Sequence, residues 1–138
     1  MKLCYKDYDI KMSLAAMKKF KTATGLDLWA TLFSFIAEYE NEDARELALT
    51  ERLSRLYEIC NFDVAAHAFH SLITDNSIPL IEIEDAMFRV GWMPSVDETD
   101  MAEPWPLVMV LAIYELDKQF KEMQLEAKKK AAIEQDKK

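Results

Sequence analysis

Apolar residues recur at intervals of three and four through most of this chain, and that spacing commits it to helices. The pattern is most regular near the end. Met109, Ile113, Leu116, Phe120, Met123 and Ala127 follow steps of 4, 3, 4, 3 and 4, a heptad-like seam over about three heptads. Pro106 falls where a first helical turn tolerates proline, so one long helix is expected to start there. From Glu126 onward the chain is rich in Lys, Glu and Ala, and the helix is expected to fray into a solvated tail.

The punctuation agrees with helices. Only two glycines and four prolines occur in 138 residues, too few for a turn-dense β-sandwich or barrel. Gly25 and Gly91 stand alone, so no glycine-rich loop can cradle a phosphate. Ser13 is placed to cap a helix over 14–24, and Gly25 to end it. Asp27 caps a second helix over 28–39 with two apolar stripes, 28/32/35/39 and 29/33/36, wider than a simple surface helix requires. A third helix is expected over 44–60, where Thr50 offers an internal cap that would split it. Asp63 caps a fourth over 64–74, and a fifth covers 82–90 up to Gly91. Residues 2–12 alternate weakly and read as a small hairpin, which alone is marginal and must pack on something. The acidic stretch 92–104 is the longest expected loop, and loops of this length are usually functional or flexible.

The expected fold is therefore mainly α, a compact domain of about five to six helices with a small N-terminal hairpin and a long C-terminal helix. Residues 1–125 form the expected single domain and 126–138 its charged tail. With 51% hydrophobic residues the chain can build a core. The longest apolar run, 105–114, is about half of what a bilayer span needs, so no membrane segment is expected. No apolar leader follows Met1, and Cys4 and Cys60 read as reduced, cytosolic thiols.

Charge is unevenly spread. Residues 1–21 hold six lysines against two acids, whereas residues 22–114 hold four arginines against seventeen acids. Such an acidic middle repels phosphate backbones, disfavouring direct nucleic-acid binding; it suits a basic protein partner or simply keeps an apolar-rich protein in solution.

Residues with catalytic or metal-binding chemistry are sparse. Cys60, His67 and His70 are the one metal-like cluster, with the two histidines three apart on one helix. A small metal-dependent enzyme built on them is one reading, but two ordinary helical histidines and a lone thiol are the plainer one. Glu38, Glu40, Glu42 and Asp43, and Asp97, Glu98, Asp100 and Glu103, lack the spacing of a calcium loop and read as solvated acids. No catalytic set, cofactor or metal is expected. The apolar surplus, with eight Met, three Trp and seven Phe, is more informative. Most of it reads as ordinary core, while part of it, the seam Met109–Met123 included, suits adaptable contacts with another helix or another copy. The candidate contact residues are Trp29, Phe33, Phe35, Trp105, Leu107, Val108 and Leu111.

The order of elements resembles a known family. The hairpin Leu3–Met12, Thr24–Gly25 followed by Leu26–Asp27–Leu28, the segment Asn61–Ala66 entering an apolar helix, and the helix Ile83–Gly91 resemble tail assembly chaperones of long-tailed, non-contractile bacteriophages. The resemblance covers residues 2–115 and rests on pattern and order. It implies a non-enzymatic protein of the host cytoplasm that coats the helical tape measure protein until tail tube subunits displace it. It also implies self-association, and a longer frameshifted form whose extra domain recruits the tube protein. The Lys128–Lys130 run is compatible with an A-rich slippery stretch in the gene. No binding residue transfers from that family position by position. A general helical adaptor or regulator for another protein remains the other non-enzymatic reading.

Overall fold

A computed structural model of the chain describes residues 1–93 and 103–136. Among them six α-helices follow a short hairpin. Strands β1 (Lys2–Leu3) and β2 (Lys6–Asp7) lead into α1 (Leu14–Thr24), α2 (Leu28–Tyr39), a 3-10 turn (Asp43–Glu46), α3 (Leu49–Ile59), α4 (Phe62–Leu72), α5 (Leu80–Val90) and α6 (Trp105–Asp136). The mainly α architecture, the small hairpin and the long last helix are as the sequence predicts. The expected acidic loop over 92–104 lies mostly outside the described residues.

Helix boundaries follow from local chemistry. Ser13 Oγ accepts from the Ala16 amide at 3.0 Å, and Asp27 Oδ1 from the Ala30 amide at 2.8 Å. Gly25 closes α1 at φ 75°, a left-handed conformation that glycine adopts without a Cβ clash. Three boundaries differ from the sequence reading. Helix α4 is capped by Asn61, whose Oδ1 accepts from the Val64 amide at 3.0 Å, so Asp63 sits inside the first turn. There its charge favours the helix dipole instead. Helix α5 begins at Leu80 behind Pro79, which cannot donate within a helix. The segment 44–60 is broken, but at Leu47–Ala48, where both residues are extended, and not at Thr50. Asn41 Oδ1 accepts from the Asp43 amide at 3.0 Å and starts the separate 3-10 turn, which buries Ala44.

The hairpin is shorter than predicted. Its turn places Cys4 (φ 50°) and Tyr5 (φ 67°) in left-handed backbone, the tight geometry that suits the twist of two antiparallel strands. Lys2 pairs with Asp7 and Leu3 with Lys6. Past Asp7 the chain leaves the hairpin and pairs with the end of α4 instead. The Lys11 amide donates to the Leu72 carbonyl at 2.9 Å, the Thr74 amide donates to the Asp9 carbonyl at 2.9 Å, and Ile10 bridges Ile73. The alternation of residues 8–12 is thus genuine, but its partner is remote in sequence. Tyr8 and Lys6 both donate to Glu82 Oε2, at 2.8 and 3.1 Å, which latches the hairpin to α5.

Helix α4 is the central strut. Ala65, Ala66, Ala68, Phe69 and Leu72 are buried on it, and its small residues let α1 and α5 approach closely. Helix α2 packs against α3 and α6. Trp105 anchors the start of α6. Its ring is fully buried beside Tyr57 and Phe62, with centroids 6.1 and 6.5 Å away. Its amide donates to the Gly91 carbonyl at 2.9 Å, tying the start of α6 to the end of α5. The last buried residue of α6 is Leu116, yet the helix continues to Asp136. Residues 126–136, expected as a charged tail, continue the helix and are exposed.

Burial separates two neighbouring phenylalanines that the sequence reading treated alike. Phe35 is fully buried, whereas Phe33 is 61% exposed. Phe35→Ala is expected to cost about 3–5 kcal/mol of stability, and Phe33→Ala about 1 kcal/mol or less. Urea unfolding of the two variants measures the difference, and equal losses would contradict this packing.

Candidate protein-binding groove

Helix α2 is apolar on two adjacent faces because Leu28, Leu32 and Phe35 form one stripe and Trp29, Phe33 and Ile36 the next. The first stripe enters the core. The second borders a groove of about 730 Å³ between α2 and α6. Across it stand Ile113, Tyr114, Leu116, Asp117 and Phe120 of α6. Trp29 stacks on Phe33 with centroids 5.3 Å apart and 14° between planes, and Phe120 meets Trp29 edge-on at 6.3 Å. These ring contacts hold a preformed aromatic wall. At one end the Tyr114 hydroxyl donates to Glu40 Oε1 at 3.0 Å. Partial burial, with Glu40 beside it, raises the Tyr114 pKa, so its hydroxyl keeps its proton at neutral pH.

The predicted contact residues divide between surface and interior. Trp29 and Phe33 line the groove, Trp29 half-buried. Phe35, Trp105 and Val108 are core residues and offer no contact surface, which corrects the expectation. The error has a geometric cause. Positions two apart on a helix point to opposite sides, so Phe33 and Phe35 cannot share one face. Leu107 is half-buried. Leu111 is 55% exposed but borders a different concavity, with Tyr5, Tyr8 and Ile10. Ile36 and Tyr114 line the groove outside the expected set, although Ile36 belongs to the second stripe of α2; Phe120 lines it as part of the heptad-like seam, for which an interaction role is one reading of the sequence. That seam is buried at Met109 and Leu116, half-buried at Ile113, and exposed at Phe120 and Met123. A second apolar patch was not anticipated at all. Ile81 and Phe88, 68% and 80% exposed, lie on the outer side of α5 beside Phe62.

The groups considered for catalysis or metal binding do not gather. Among the described residues, no three of His, Cys, Asp or Glu stand together as a metal-ligand group. His70 Nε2 lies 2.8 Å from the Ile78 carbonyl oxygen, a contact that occupies that nitrogen. The acids of 38–43 also go separate ways: Glu38 pairs with Arg55 at 3.7 Å while Glu40 accepts from Tyr114. Of the second acidic set, Asp97, Glu98 and Asp100 lie outside the described residues. No helix among the described residues is long and apolar enough to cross a membrane.

Burial pushes the Cys60 thiol up to about 12, so it is protonated at neutral pH and a poor nucleophile. An unfolded chain ionises this thiol near its ordinary value of 9.0, below the folded value. The stabilisation it carries is therefore complete below pH 9 and lost as pH rises through 12. Urea unfolding should show wild type losing about 2 kcal/mol more than Cys60→Ala between about pH 9 and pH 10.5. Identical losses would contradict a buried thiol.

The chain matches no protein-family model, no curated protein and no solved structure.

Proposed function

We propose that this chain is a tail assembly chaperone of a long-tailed, non-contractile bacteriophage. It holds apolar helices of the tape measure protein in the groove between α2 and α6 until tube subunits polymerise around that protein. The observation that carries this reading is the preformed aromatic groove, in which Phe33 and Phe120 stay exposed while the core beneath is complete. Exposed apolar helices aggregate, and an open groove with a rigid wall masks them at low ordering cost. Laying an amphipathic helix into such a groove is a recurrent mode of peptide recognition.

In this reading the chain acts in the host cytoplasm, and copies of it associate through Ile81 and Phe88 on α5, which leaves the groove for the partner. A longer frameshifted product would add the contact to the tube protein. The alternative of a helical adaptor for some other protein uses the same groove, and only the identity of the partner separates the two.

Co-expression with the tape measure protein of the same phage should keep that protein soluble and bring both chains through purification together. Phe33→Glu and Phe120→Glu should each reduce the co-purified amount at least about tenfold, because a buried carboxylate without a partner is costly. Phe88→Glu should leave capture intact and weaken self-association in sedimentation velocity. Full capture by both groove variants would refute the assignment of the groove.

A further inference from the structure

The charges at the groove specify the helix it accepts. Two charged residues line it, Glu40 near the end of α2 and Asp117 on α6, and both are acids. Glu40 Oε1 is occupied by the Tyr114 hydroxyl, a neutral donor that leaves the carboxylate its charge. Asp117 Oδ2 meets Lys121 at 2.8 Å, but both side chains are exposed, and an exposed pair one helical turn apart is weak. Lys118 and Lys121 line a neighbouring depression that shares Tyr114 and Asp117 with the groove, and neither lysine lines the groove itself. Arg45 and Arg52 share with Glu40, Tyr39 and Tyr114 a neighbouring depression and do not line the groove itself; Arg52 is engaged there by the Tyr39 carbonyl at 3.3 Å and by the Tyr39 ring.

From these positions we infer that the groove selects an amphipathic helix whose apolar stripe is flanked by Lys or Arg. The wall from Trp29 to Glu40 runs about three helical turns, which sets the length of helix engaged. Anchors at i, i+3, i+4 and i+7 fill the space between Phe33 and Phe120, and flanking cations reach Glu40 and Asp117. Charged rims of this kind steer encounter and reject wrong partners more than they add affinity. The inference rests on the groove reading above and sharpens it from any apolar helix to a basic-flanked one.

Two synthetic peptides with one identical Leu/Phe stripe, one flanked by Lys and one by Glu, test this by calorimetric titration into the full chain. The Lys-flanked peptide should bind about tenfold tighter at low salt, and the preference should shrink at high salt. Glu40→Lys combined with Asp117→Lys should abolish or reverse the preference. Glu46→Lys combined with Glu58→Lys changes net charge equally but away from the groove, and should preserve it. Equal affinities for the two peptides would overturn the charge selection while leaving helix masking intact. No binding of either peptide would overturn both. A dimer of the free chain that either peptide dissociates would place a second copy in the groove and overturn the inference.

Discussion

A helix can bury only as much of its circumference as its neighbours cover, and α2 is apolar over more than that. Leu28, Leu32 and Phe35 are buried where α2 packs against α1, α3 and α6. Phe33 stays 61% exposed even with Trp29 stacked on it, and Trp29 and Ile36 are covered only in part. The rest of the molecule is arranged around that mismatch. Trp105 fixes where α6 begins, and its line of travel leaves a groove beside α2 instead of closing over it. The residues that would fill a closed interior are spent on both walls of an open one.

The long last helix extends the same theme with different means. The last tertiary contacts described along α6 are those of Gln119 with the Ile10 carbonyl and of Phe120 with Trp29, and residues 121–136 are exposed, so burial does little to hold that stretch helical. Local features do more. Asp117 and Lys121 pair at i, i+4 with the favourable orientation, and the following stretch is made of strong helix formers. Helix propensity therefore carries the arm where burial ends, and the helix runs past Glu126 to Asp136. Phe120, Met123 and Leu125 remain exposed along it and continue the apolar character of the groove outward.

Much of the fold was legible in the sequence because the signals were local. Ser13, Gly25, Asp27, Pro106 and Gly91 each act within a turn of their own position, and each marks the boundary assigned to it. What the sequence could not show was non-local. Residues 8–12 alternate as a strand should, yet pair with Ile73 at the end of α4, a partner that no hairpin rule reaches. Periodicity shows that α2 has two apolar stripes but not which one meets the core, so it does not separate Phe33 from Phe35. Trp105 and Val108 were offered as surface for a similar reason: an apolar run at a helix start looks the same whether it anchors or docks. The outer patch on α5 escaped notice because Ile81 and Phe88 lie among acids, which read as a solvated face.

The account stands on the open face of α2 being the surface that a partner helix covers. Hydrogen exchange of the chain, alone and with a bound amphipathic helix, reads this directly. Slowed exchange confined to residues 28–39 and 113–123, with α1 and α4 unchanged, is the predicted result. Protection that appears on α5 or the hairpin while α2 exchanges as before would contradict it.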